Sequence, residues 1–366
     1  MCRDKGDWDR LNASLNIINK RRAQSKVAIA AIVEEAFSYI DVTPTLDIRI
    51  ELIKTLKDIC DGKIYVEAES ARLHLKLAHI YEEGGDVAKA CDMIQDVHVE
   101  TYGALSKKEK AEYILEQIRL NLLKKDFVRA LIQSRKMNRK VIEEAGFEQV
   151  KVSFYTMLIE YYTNEKDTWE ICQCYYKIYD TSITKADPSA LQQALESCVI
   201  FLILSKHDNH QSDMLHRTKI LKDAIESPFL HHLLVLFTTK EIIPSSFTGL
   251  AEILSHSSLS IHGLEASQFF SGQLQIRIIQ HNLRTIAGYY DRLRIERLST
   301  LIALPKESIE EQLAEMSLAG DLYVKIDRPA GIVSFKKPRA PEAVLSDWSS
   351  DVGKLLNLMA KFLFQA

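Results

Sequence analysis

Proline is sparse in this 366-residue chain, with 8 in all and none between Pro44 and Pro188. So long a run without the strongest helix breaker excludes proline-built turns there and predicts one helix after another. Long apolar runs are missing too. No window holds about 18 uninterrupted apolar residues, and the opening MCRDKGDWDR has no apolar core of a signal peptide. The expectation is a protein of the cytoplasm and nucleus with no membrane partner. Neither sign of charge dominates: 47 Lys and Arg stand against 50 Asp and Glu, a formal net charge of -3. That balance argues against a whole-chain nucleic-acid binder and leaves only local patches to weigh.

Cysteine is limited to Cys2, Cys60, Cys91, Cys172, Cys174 and Cys198. Only Cys172 and Cys174 are close in sequence, and residues two apart on a helix point away from each other, which suits neither a zinc site nor a disulfide. All six read as packed thiols in a reducing compartment. His207-x-x-His210, with His216 beyond, is the one histidine grouping that invites a metal. Its loop-like KHDNHQSD setting fixes no geometry, and no ligand at a standard spacing accompanies it. His281, alone in an apolar helix, reads as a hydrogen-bonded structural residue. Phosphate-binding loops, GxGxxG, GxSxG, HExxH and the HxHx7SxxD arrangement of metal-dependent deubiquitinases are all absent. Paired carboxylates such as Glu143-Glu144 and Glu310-Glu311 read as solvated helix faces. The chain is therefore expected not to be an enzyme and to have no catalytic residue, metal or cofactor.

What the chain does contain is repetition. An apolar fraction of 46% and a charged fraction of 27% are those of a globular protein, and the length exceeds one ordinary core. Two domains, or a repeat array with a cap, are expected. LAHIYEEGGDVAKACDMI places Leu77, Ala78, Tyr81, Gly85, Asp86, Val87 and Ala90 at the offsets of a tetratricopeptide-like helical hairpin. Small Ala78 and Ala90 let the two helices approach, and Gly84-Gly85 permits the turn. The turn signal recurs at Asp126 and Asp167 and, weakened, at Asp208, with spacings of 40, 41 and 41 residues. Such repeats build a solenoid with large exposed faces, a shape that serves binding more readily than chemistry.

Residues 241–272 are rich in serine and glycine with few charges, and read as a linker or irregular insertion. Beyond it Ile276, Ile279, Leu283, Ile286 and Tyr290 form one helical stripe, a short helix buries Ile295, Leu298 and Leu301, and PKESIEEQLAEM starts a third helix burying Ile309, Leu313 and Met316. Pro305 suits its first turn, and Ser308 with Glu311 has capping-box spacing. DLYVKIDRPAGIVSF then alternates as a β-hairpin about an Arg328-Pro329-Ala330-Gly331 turn. Three helices and a hairpin are the order of a winged helix. Between residues 277 and 339 eleven Lys or Arg meet eight Asp or Glu, a surplus of three. The acidic third helix would repel phosphate, and the 336–339 KKPR cluster reads as a solvated strand exit more than as an RNA contact. In the last segment Leu345, Trp348, Val352, Leu355, Met359 and Phe362 recur at steps of 3 and 4, a short heptad seam suited to a helical bundle. Leu356 and Leu363 widen that stripe.

These residues resemble the PCI-domain family, in which helical repeats lead into a winged helix, and whose members build the proteasome lid, the signalosome and an initiation-factor complex. Within it the blocks GKIYVEAESARL, VETYGALSKKEKAEYILEQIRL, CYYKIYDT, DNHQSDMLHR, HNLRTIAGYY and KIDRPAGIVSF followed by LSDWSS look like those of the lid's scaffold branch. Residues 241–272 depart from the family pattern, and family members usually carry more helix beyond the position of Ala366.

The fold class implied is mainly α: a TPR-like helical-repeat solenoid, a winged-helix PCI module and a C-terminal bundle helix. The expected division is a solenoid over 1–240, whose part from about 180 is the helical half of the PCI domain, then 241–272 as linker, 273–340 as winged helix and 341–366 as terminal helix. The function implied is a non-catalytic lid scaffold in ubiquitin-dependent protein degradation. Its expected partners are other lid PCI subunits, the lid's metal-dependent deubiquitinase subunit and the ATPase ring. The alternatives are a signalosome subunit of the same architecture and an RNA-associated PCI protein. Candidate partner-binding residues are Tyr323, Lys325, Ile332 and Phe335 on the wing, and Leu345, Trp348, Val352, Leu355, Met359 and Phe362 on the last helix.

Overall fold

The computed structural model describes residues 7–21, 24–244, 246–260 and 263–365, and for 260, 364 and 365 the backbone alone. Cys2 lies outside the described residues. The fold divides into two units, residues 1–201 and 202–366.

The first unit is helical throughout its described residues. It opens with α1 (Trp8–Lys20), α2 (Lys26–Tyr39) and α3 (Leu46–Cys60), and continues with α4 (Glu67–Glu83), α5 (Val87–Gln95), α6 (Lys107–Leu123) and α7 (Phe127–Lys136). A short α8 (Arg139–Ile142) precedes α9 (Glu148–Glu165), α10 (Thr168–Tyr179) and α11 (Ser182–Ala186), and the division between the units falls within α12 (Pro188–Leu204).

Three of these turns are chemically one turn. At the ends of α4, α6 and α9, a residue with φ between 61° and 82° (Gly85, Lys125, Lys166) is followed by an aspartate. The aspartate N–H reaches back to the carbonyl of Tyr81, Asn121 or Tyr162 at 2.9 to 3.0 Å, and the N–H before it to Glu82, Leu122 or Thr163 at 2.9 to 3.2 Å. Those paired bonds satisfy carbonyls left orphaned at the end of the first helix. Each aspartate then caps the next helix, Asp86 and Asp126 by accepting from the N–H of Lys89 and Arg129 at 3.1 Å, and Asp167 from Trp169 and Glu170 at 3.1 and 3.3 Å. One side chain thus starts a helix where the backbone has just ended another. Only one of the three left-handed positions is glycine; lysine pays a local strain at the other two.

The helices pack as the small residues allow. Ala78 and Ala90 are buried between α4 and α5. Between repeats a polar link is threaded through the core: Gln117 donates to the carbonyls of Ile94 and Val97 at 2.6 and 3.0 Å, Asn121 donates to Gln117 O at 2.6 Å, and Cys91 Sγ donates to Asn121 Oδ1 at 3.0 Å. Ion pairs between successive repeats line the surface, Arg119 holding Glu82 through both guanidinium arms at 2.5 and 2.7 Å. Surface pairs of this kind contribute about 0–1 kcal/mol each, so they set register more than stability.

The second unit begins with the end of α12 and continues through α13 (Asn209–Ile220), α14 (Lys222–Glu226) and α15 (Pro228–Thr238). Asp208 does cap α13, accepting from Asn209 N–H at 2.7 Å, yet no left-handed residue precedes it. The fourth copy keeps the cap and loses the turn. Residues 241–272 are not irregular throughout: they hold α16 (Leu250–Ser255), α17 (Ser257–Ser260) and the first part of α18 (Leu264–Tyr289). Ile253, Leu259 and Phe270 from this stretch are buried, so the serine-rich sequence is packed. Asn282 of α18 fixes the start of it, accepting from Ile243 N–H at 2.7 Å and donating to Ile243 O at 2.8 Å.

The winged helix follows as β1 (Arg292–Arg294), α19 (Ile295–Ile302), α20 (Lys306–Leu318), β2 (Lys325–Asp327) and β3 (Ile332–Ser334), with α21 (Pro341–Gln365) last. Its core joins Leu283 and Ile286 of α18, Ile295, Leu298 and Ile302 of α19, Ile309, Leu313 and Met316 of α20, and Val333 and Phe335 from the return strand. The third helix starts after Pro305, so Ser308 lies inside it and forms no capping box with Glu311. No described helix is long and apolar enough to cross a membrane.

Candidate assembly interface

The expected wing is present, with one strand more than the sequence reveals. The turn closes by Gly331 N–H donating to Arg328 O at 3.2 Å, with Gly331 at φ 64°. Both β2 and β1 pair antiparallel with β3, in the order β1-β3-β2, aligning Ile326 and Leu293 with Val333. The return strand is therefore the centre of the sheet and not an exposed edge. β1 escaped notice because Arg292-Leu293-Arg294 is too short to show a period; its partner defines it.

The four wing candidates separate by side-chain direction. Tyr323 and Lys325 are exposed, and Ile332 is half-buried. Phe335 is 7% exposed and belongs to the core with Val333, which corrects its placement at an interface. Residues 333 and 335 share one face of the strand, and that face meets α18, α19 and α20. The outer edge of β2, bearing Lys325 and Asp327, retains unpaired main-chain groups in the described structure.

The six candidates on α21 behave alike. Leu345, Trp348, Val352, Leu355, Met359 and Phe362 are all exposed, from 39% for Val352 to 81% for Phe362. Leu356, Leu358 and Leu363 are exposed with them. Apolar side chains at three- and four-residue steps occupy one broad face of the helix, and that face is left in water. Charged residues of α21 make local pairs, Lys354 with Asp351 at 2.9 Å and Asp347 with Arg339, just before the helix, at 3.1 Å.

Some basic residues near the wing are paired. Arg328 on the turn meets Glu310 of α20 at 3.2 Å, and Lys336 meets Asp291 at 2.9 Å. Arg339 of the 336–339 cluster is paired as well, with Asp347.

Elsewhere, several histidines and cysteines make structural contacts. No group of three or more His, Cys, Asp or Glu that could hold a metal ion occurs among the described residues. His207 meets Gln211 and His281 meets the carbonyl of Glu241, both at 3.2 Å, while His210 is exposed on the first turn of α13. Cys172 faces Cys198 with the sulfurs 3.8 Å apart; burial pushes the Cys172 thiol well up and those of Cys60 and Cys174 up to about 12, so these thiols stay protonated.

Helical-hairpin repeats, a winged helix and an unpaired terminal helix define a scaffold of the PCI type. The PCI domain family matches residues 218–337, and the family described as PSMD12/CSN4, N-terminal, matches residues 1–187. The chain belongs to the PSMD12/CSN4 family of PCI-domain proteins. It is 38% identical to the 26S proteasome non-ATPase regulatory subunit 12 homolog A of Arabidopsis thaliana, over 100% of this chain and 88% of that protein. To the 26S proteasome non-ATPase regulatory subunit 12 of Dictyostelium discoideum it is 36% identical, over 99% of this chain and 80% of the relative. Similarity to COP9 signalosome complex subunit 4 of Drosophila melanogaster is lower, 24% over 82% of this chain and 71% of that protein.

Proposed function

We propose that this protein is a non-catalytic scaffold subunit of the 26S proteasome regulatory-particle lid, acting in ubiquitin-dependent protein degradation in the cytoplasm and nucleus. The observation that carries the reading is the exposed apolar face of α21. A 25-residue helix with Leu345, Trp348, Leu355, Met359 and Phe362 in water is built to enter a bundle of partner helices. The proteasome-subunit names of the relatives, against the lower similarity to the signalosome subunit, favour the lid over the signalosome as the assembly that supplies those helices.

In this reading Trp348 is the main anchor, since a large aromatic at the centre of a desolvated contact carries a disproportionate share of the binding free energy. The outer edge of β2, with Tyr323 and Lys325 beside it, pairs with a neighbouring PCI subunit by strand addition. The helical repeats of residues 7–201 offer surface to the deubiquitinase subunit and the ATPase ring. The second reading, a signalosome subunit, keeps the same geometry and changes only the partners.

The test is to tag the full chain in its own cells and identify by mass what co-purifies, for the parent and for Trp348→Ala with Leu355→Ala. Recovery of ATPase-ring and lid subunits by the parent and their loss in the double variant is the expected result. Unchanged recovery by the variant would sink the bundle assignment, and signalosome subunits alone would move the chain to the second reading.

A further inference from the structure

A cavity of about 480 Å³ lies inside the second unit, away from the wing edge and α21. The end of α12, α13, the end of α15 with the residues after it, and the middle of α18 enclose it. α18 contributes Arg277, His281 and Arg284, whose offsets of four and seven place them on one helical face. His207, His216 and Lys240 line it from the other elements. No carboxylate lines the cavity among the described residues, although the chain as a whole carries more acids than bases.

The two arginines are not equivalent. Arg277 is occupied: its Nε donates to Leu204 O at the end of α12 at 3.0 Å, and its Nη1 to Gln280 Oε1 at 2.7 Å. Arg284 has an Nη1 shut away from solvent with no partner among the described residues. Burial brings the Arg284 guanidinium down to about 10 and lowers Arg277, while the field of Asp321 acts on both in the opposite sense. Even so, both remain cations at neutral pH, so Arg284 brings to the cavity wall a positive charge with one N–H group unpaired.

The histidines are oriented as donors and acceptors of known kind. Gln211 donates through Nε2 to Leu202 O at 3.1 Å, which turns its Oε1 toward His207 and requires the proton on His207 Nδ1. His281 donates from Nε2 to Glu241 O. Ser205 and Thr239 give their hydroxyl protons to Leu202 O at 2.7 Å and Val235 O at 2.6 Å, while Ser212, His216 and Lys240 complete the lining.

We propose that this cavity binds a phosphate group, with Arg284 as its principal partner and His216 and Lys240 contributing at the mouth. A planar guanidinium makes charge-assisted, two-pronged bonds to phosphate or carboxylate alike. The choice between them rests on charge: the lining holds Lys240, Arg277 and Arg284 and no carboxylate among the described residues, which suits a doubly charged anion better than a singly charged one. The phosphate arrives either on a small molecule or on a phosphorylated side chain of a partner. This inference is independent of the scaffold reading and concerns a site that reading leaves unused.

Isothermal titration of the full chain with sodium phosphate, against sodium chloride of equal ionic strength, tests it. Saturable binding at one site is expected, weakened on the order of tenfold or more in Arg284→Gln, because a charged hydrogen-bonding partner is lost. His216→Gln, at an exposed position, is expected to fold normally and to weaken binding a few-fold. Lys354→Gln on α21 should leave it unchanged. Circular dichroism without phosphate should give Arg284→Gln a melting temperature equal to or above the parent's, since the substitution removes a buried unpaired charge. Comparing pyrophosphate with a phosphoserine peptide separates the two sources, the tighter ligand naming the class. No saturable binding by the parent overturns the proposal, and so does equal phosphate affinity in the parent, Arg284→Gln and His216→Gln.

Discussion

α18 and α21 are nearly equal in length, 26 and 25 residues, and both carry apolar side chains at three- and four-residue steps. One is spent within its own unit and the other is not. In α18, Leu274, Ile278, Leu283 and Ile286 are buried, whereas Leu345, Trp348 and Phe362 of α21 are 63%, 68% and 81% exposed. The polar residues account for the difference. On α18, Arg277, His281 and Asn282 bond main-chain groups of Leu204, Glu241 and Ile243, far away in sequence. On α21, Lys354 reaches only Asp351, three residues away. Apolar periodicity tells that a helix face is to be buried; the polar residues beside it tell whether the partner is in the same chain.

The largest effect that sharpens this contrast is on stability. Leu283→Ala removes a fully buried side chain from the winged-helix core and is expected to cost about 2–5 kcal/mol, whereas Leu355→Ala, at 58% exposure, should stay within about 0.5 kcal/mol of the parent. Urea unfolding of both variants measures it. Equal losses would mean that α21 is packed in the isolated chain, and the contrast would fall.

The contrast also separates what was legible in the sequence from what was not. The three repeat turns could be read because glycine or a tolerated lysine, then aspartate, is a local chemical requirement of ending one helix and capping the next. The hairpin turn could be read for the same reason, from Pro329 and Gly331. β1 could not, because three residues carry no period and acquire strand geometry only from pairing with β3. The start of α18 at Leu264 is hidden by serine and glycine in LEASQFFSG, where Phe270 is fully buried. Phe335 is apolar enough to suit an interface, but strand alternation places it with Val333 on the core face. The basic cavity was invisible as a whole, since its lining comes from four elements that no sequence window contains.

A smaller effect tests the polar half of the contrast. Asn282→Ala deletes both hydrogen bonds to Ile243 and leaves buried main-chain groups without partners, at an expected cost of about 1–3 kcal/mol. Proteolysis should then cut near residues 240–250 faster than in the parent, because that segment has lost two of its bonds to α18. Asp351→Ala on α21 breaks only an exposed local pair and should leave both stability and cleavage unchanged.

Acid should act on the α18 side alone. Burial holds His281 below its ordinary value, the charges of Arg284 and His207 adding to the effect, and α21 contains no histidine. A histidine depressed in the folded state takes up its proton more readily when unfolded. Its contribution to stability is therefore whole above the unfolded value, about 6.5, and is lost as pH falls through the folded one. The unfolding midpoint should drop between pH 7.5 and 5, and drop less in His281→Gln. A midpoint that rises on acidification, or that responds equally in the variant, would count against the assigned burial of His281.

The smallest effect on the isolated chain is the most informative about α21. The chain has Trp8, Trp169 and Trp348, so replacing the first two by phenylalanine leaves Trp348 as the sole reporter. At 68% exposure its emission should be that of an indole in water and should be quenched freely by iodide or acrylamide. Addition of the partner assembly should shift the emission to the blue and protect it from quencher, with no change in the melting of the free chain when Trp348 itself is replaced by alanine. Protection already present in the free chain would mean that α21 folds back on its own unit and has its partner in hand. An indole that stays wet in the purified assembly would place the partner helices elsewhere, and leave the wide apolar face of α21 without the role that its exposure assigns to it.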